Sequence, residues 1–137
     1  MSKVLTPEEK IAENEKLAKS FISEVVIPAF QQFVDEVNNK KKHLHAELRT
    51  SSHVAHVVIN EGSEDFFDLT VEAKFTEHGT RVAVYNKFND RGRKEGETSL
   101  EGIGIQKTIT ECSKDDLYRA IRRYAEQFLN RNNFYKD

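Results

Sequence analysis

Cysteine is nearly absent from this chain. Cys112 is the single one in 137 residues, so no intrachain disulfide can form. That fits a reducing compartment rather than the disulfide-stapled secreted class. The first residues, from Met1 through Thr6 and Pro7 to Glu9, contain no apolar core, which excludes a secretory signal there. The most apolar run, 25–34, is interrupted by Gln31 and Gln32 and falls short of the roughly 20 residues that a membrane span needs. A soluble, cytoplasmic protein is therefore expected. An excess of one charge is missing too. With 21 Lys and Arg against 23 Asp and Glu, the net charge is -2, which excludes a surface that is basic all round and leaves room only for a local basic patch. Repeats and low-complexity segments are also lacking.

What is present is patterned. Hydrophobic residues make up only 37% of the chain and charged residues 32%, but the apolar ones recur with clear periods, so the chain reads as one folded domain. Residues 1–42 read as a helical segment. Thr6, Pro7 and Glu9 form a capping box with proline at the first helical position. Ile11, Ala18, Phe21, Ile22, Val25, Ala29, Phe33 and Val37 then follow at helical spacing. Pro28 lacks a backbone donor, so the spacing predicts a kink or two helices, about 7–25 and 28–40.

From 43 to 111 the period changes to two, which predicts an antiparallel sheet. A tight turn at Ser51 and Ser52 pairs Leu48 with Ala55, Ala46 with Val57 and Leu44 with Ile59. Phe67, Leu69, Val71, Ala73 and Phe75 form the cleanest alternation. A turn at His78 and Gly79 brings Ala73 opposite Val84 and Leu69 opposite Phe88. Residues 89–98 are polar and charged and read as a loop. Leu100, Ile103 and Ile105 read as a fifth strand bulged at Gly102, with 106–111 extending it. Ser113 and Asp116 then box the start of a C-terminal helix over 113–132, with Cys112 and Leu117 as a hydrophobic staple. Leu117, Ala120, Ile121, Tyr124, Phe128 and Leu129 form its stripe. The fold class is thus α+β: an N-terminal helix, a five-stranded antiparallel meander and a C-terminal helix, with the helices on one face.

Several residue groups invite a functional reading. His45, Glu47 and His56 fall on one sheet face in this register and offer zinc-type ligands, but no metal-binding spacing accompanies them; the plainer reading is a polar solvent face, and neither metal nor cofactor is expected. Cys112 precedes a helix start, where a thiolate is favoured, but no histidine is near it in sequence to act as a base, and a staple residue packing on Leu117 is the favoured reading. Lys87, Arg91, Arg93 and Lys94 form a basic, glycine-flanked loop able to grip an anion or an acidic partner. Arg119, Arg122 and Arg123 add a second basic area. Asn86, on the inner face of its strand, together with Gly102 and Gly104 suggests a small pocket. Val54 and Val58, with His56 between them, lie on the outer face and suggest a homodimer contact. No nucleophile–base pair, metal spacing or phosphate loop is present. The chain therefore reads as a non-enzymatic binding or adaptor domain acting through protein–protein contacts. The alternatives are a ligand-binding or enzymatic pocket and a weak nucleic-acid binder.

Overall fold

The computed structural model describes residues 4–40, 44–61, 64–89 and 93–129; of residues 61, 64–66, 88–89, 93–94 and 127–129 only the backbone is described. Helix α1 (Pro7–Phe21) begins at the expected capping box. The Glu9 N–H donates to Thr6 Oγ1 at 3.1 Å, and the Thr6 N–H donates to Glu9 Oε1 at 3.4 Å. Helix α2 (Ile27–Lys40) follows without a break, joined to α1 by one π-helical turn, Ile22–Val26. There the Ile27 N–H reaches back to the Ile22 carbonyl. Pro28 is the physical reason. A proline cannot donate to the preceding turn, and its ring crowds the carbonyl four residues back, so a widened turn accommodates it where a kink was expected. Of the expected stripe, Ala18, Phe21, Ile22, Ala29, Phe33 and Val37 are buried, whereas Ile11 is exposed and Val25 only half-buried; Val26 and Phe30 are buried in addition.

The sheet is a simple meander with the order β1 (Leu44–Thr50), β2 (Val54–Glu61), β3 (Glu64–Thr76), β4 (Gly79–Asn89) and β5 (Arg93–Thr98). Both hairpin registers differ from expectation by two residues. Leu48 faces Val57 rather than Ala55, and Ala73 faces Val82 rather than Val84, because the second turn is Glu77-His78. A two-residue slip preserves which face each side chain takes. Val57, Leu69, Val71, Ala73 and Val84 consequently still point at the helices, and each is at most 1% exposed. Helix α3 (Lys114–Leu129) completes the layer, burying Leu117 and Ile121 in the same cluster. Phe128 and Leu129 lie where only the backbone is described.

The fifth strand is the main correction. It is the charged stretch Arg93–Thr98, read from sequence as a loop, and not the apolar stretch after it. An edge strand needs only backbone pairing on one side, and charged residues there guard against pairing with another chain. Leu100, Ile103 and Ile105 do turn inward, at 9%, 6% and 6% exposure, but through a 3-10 turn, Glu101–Ile103, and not a bulged strand. Gly102 suits that course: a Cβ there would overlap the Thr98 hydroxyl, so a larger residue would have to displace the Thr98 side chain. Gly104 closes the turn in the left-handed region, at φ +94. Residues 106–111 do not extend a strand. They form a connecting strap that ends in a turn closed by Cys112 N–H to the Thr108 carbonyl at 3.0 Å.

Candidate functional site

The residues singled out from sequence do not converge. On the outer sheet face Arg49, not Glu47, lies opposite His56. Glu47 accepts a hydrogen bond from Arg49 at 3.1 Å, while His56 Nε2 stands 3.6 Å from Asp68 Oδ2. The set His45, Glu47 and His56 is therefore not assembled, and among the described residues no three His, Cys, Asp or Glu side chains are placed to hold a metal. Val58 is 4% exposed, flanked by Glu47 on β1 and Asp68 on β3, and Val54 is half-buried. The sheet's own polar side chains cover this valine, which removes the exposed patch on which a homodimer contact at Val54, His56 and Val58 was argued.

Asn86 is part-buried and accepts a hydrogen bond from the Tyr124 hydroxyl at 2.9 Å. Its close neighbour is Gly96, where a Cβ would sit 2.7 Å from Asn86 Oδ1, whereas Gly102 lies against Thr98. Asn86, Gly102 and Gly104 therefore do not form one pocket. Of the basic loop, Arg91 falls outside the described residues. Arg93 and Lys94 belong to strand β5, and Lys87 is exposed on β4 opposite Glu95. Cys112 is 4% exposed, and burial raises its thiol above the usual range. With Leu117 fully buried beside it in sequence, it fits the staple role.

A different site emerges from the sheet's edge. Strand β4 has 11 residues and β5 has six, and β5 pairs only with 84–89. The first part of β4, residues 79–83, has β3 on one side and no strand on the other. In an antiparallel strand, alternate residues direct their backbone N–H and C=O groups to each side. Those facing away from β3 here receive no backbone hydrogen bond from the strap. Between this edge and the strap lies a groove of about 570 Å³. Its apolar wall comes from Val82, Leu100, Ile105 and Ile109, and its polar rim from Arg81, Glu101 and Lys107.

The groove shares Ile105, Gln106 and Lys107 with a smaller cleft of about 150 Å³ beneath α3, which Asp116, Arg119 and Arg123 complete. Asp116 is held in place from two directions. Its Oδ2 accepts from Lys107 Nζ at 2.9 Å and from the Ser113 N–H at 3.1 Å, while its own N–H donates to Ser113 Oγ at 3.1 Å. The Lys107 ammonium, with the Ser113 bonds, lowers the Asp116 carboxyl to about 2, and Asp116 in turn raises Lys107. Lys107 and Asp116 thus neutralise each other. Arg119 and Arg123 are exposed and one turn apart, and among the described residues neither has an acidic partner within ion-pair distance.

Sequence reading missed this groove because it depends on where β5 stops. The expected apolar fifth strand would have lain elsewhere along β4. Only the unequal strand lengths reveal the open edge, and those require the register. No protein-family model, no curated protein and no solved structure matches the chain, so the geometry alone bears on function.

Proposed function

We propose that the protein is a non-enzymatic binding module that takes up an extended segment of a partner protein as an added strand along residues 79–83. The unpaired first part of β4, lying open in a groove with an apolar wall, carries the reading. Strand addition uses such features: main-chain hydrogen bonds supply affinity, and a pocket beside the edge selects alternate side chains. The other edge supports the assignment by contrast. On β1, the Asn38 side chain donates to the Ala46 carbonyl at 3.1 Å and accepts from the Ala46 N–H at 2.8 Å, occupying outward backbone groups at that position. The outward side of β5 is guarded by its charged residues.

The test is selection of binders from a random-peptide phage library, followed by hydrogen exchange of the protein with and without a selected peptide. Exchange is expected to slow within 79–83, with the outer sheet face unchanged. Failure to select any peptide, or protection confined to another surface, would refute the reading. A second copy of this chain is the competing occupant. A dimer in sedimentation that protects 79–83 and that no peptide dissociates would replace the peptide-docking reading with self-assembly.

A further inference from the structure

We infer, building on the peptide-docking reading, that the docked segment carries an Asp or Glu side chain just beyond its extended stretch, and that Arg119 and Arg123 receive that carboxylate. The continuity of the two hollows is the first ground. Chain lying along 79–83 and passing Ile105, Gln106 and Lys107 leads into the cleft below α3. Charge is the second. In that cleft Lys107 is committed to Asp116, which leaves two guanidinium groups with no ion-pair partner among the described residues. Two other arginines do have one: Arg49 lies 3.1 Å from Glu47 and Arg122 lies 3.4 Å from Glu36, while Arg81, like Arg119 and Arg123, stands on the rim of the joined hollows. Residues at i and i+4 share a helix face, so both free arginines address the same space, and guanidinium forks match a carboxylate in geometry as well as charge.

Size and surroundings set the ligand class. A cleft of about 150 Å³ admits a side-chain carboxylate and is too small for an extended nucleic-acid strand. Among the described residues no aromatic ring lines it either. The Tyr118 hydroxyl is hydrogen-bonded to Glu36, and Tyr85 lies on the far sheet face with its hydroxyl 3.3 Å from Glu72. Single-stranded nucleic acid is held by aromatic stacking along a basic groove, and this cleft supplies only the charge.

The experiment compares the full-length protein with its Arg119→Gln/Arg123→Gln variant. Both side chains are exposed, and a circular dichroism melt verifies that the variant is folded. Peptides selected from a random library on the unmodified protein are expected to share an acidic residue at a constant offset from their extended stretch. Replacing that acid by Gln should weaken binding about tenfold at low salt, and the double variant should bind the acid and Gln peptides equally. Equal discrimination by both proteins, or selected peptides with no acidic position, would overturn the carboxylate assignment. If such peptides still slow exchange at 79–83, the docking reading stands and only this inference falls. If none does, the docking reading fails and takes the inference with it.

Discussion

Two side chains carry more of this structure than their types suggest. Asn38 satisfies both the N–H and the C=O of Ala46 from the end of α2. Asn38→Ala leaves those part-buried groups without partners and should destabilise the protein by about 1–3 kcal/mol in a urea titration. Gly96 gives way to Asn86. Adding a Cβ at 96 crowds Asn86 Oδ1 and disturbs its bond from Tyr124, so Gly96→Ala should lower stability. In an Asn86→Ala background the obstruction is gone, and the same substitution should become neutral or stabilising by up to about 1 kcal/mol, because it restricts the unfolded chain. A double-mutant cycle reads the difference. Neither role was visible in the sequence. Asn38 and Ala46 lie on different elements, and Asn86 was correctly placed on an inner face but assigned the wrong glycine, since the register across β4 and β5 had not been established.

At the level of elements, local signals and the meander order were read well, while the hairpin registers and the place of the fifth strand were not. The capping boxes at Thr6 and Ser113, the helical stripe through 18–37 and the alternation of 67–75 all appear where short-range patterns put them. These depend on neighbours within one or two turns. Strand β5 does not, because its residues show no apolar alternation and its place is set by backbone pairing with β4. The expected interruption near Pro28 is present as well: two α-helical segments meet there, joined by a π turn rather than by a loop. The start of α3 yields a pH prediction. Asp116 has a carboxyl held at about 2 in the folded protein, against an ordinary value of 3.8. A depressed acid stabilises the fold above its unfolded value and loses that contribution as pH falls toward the folded one. Melting temperature should therefore decline between about pH 4 and pH 2 partly through this group. Asp116→Asn should melt lower at neutral pH and converge on the unmodified protein near pH 2.

The whole molecule is a single sheet layer with helices on one face, and its core lies entirely between them. Leu69, 1% exposed at the centre of that core, should cost about 2–5 kcal/mol on truncation to Ala, measured by denaturant midpoint. The opposite face behaves differently from expectation. Val58 is covered by its strand neighbours, so Val58→Lys should destabilise the monomer by about 1–3 kcal/mol, and loss of an assembly in that variant would report unfolding rather than an interface. Because β5 ends at Thr98, the stretch 79–83 of β4 stays open, about 17 Å at 3.4 Å per residue. In informational terms this is a very short word. A strand of that length shows only two or three side chains to the groove, and such combinations recur by chance in many unrelated proteins. A binding module of the kind proposed would have a broad vocabulary, and an acidic letter read by Arg119 and Arg123 would narrow it.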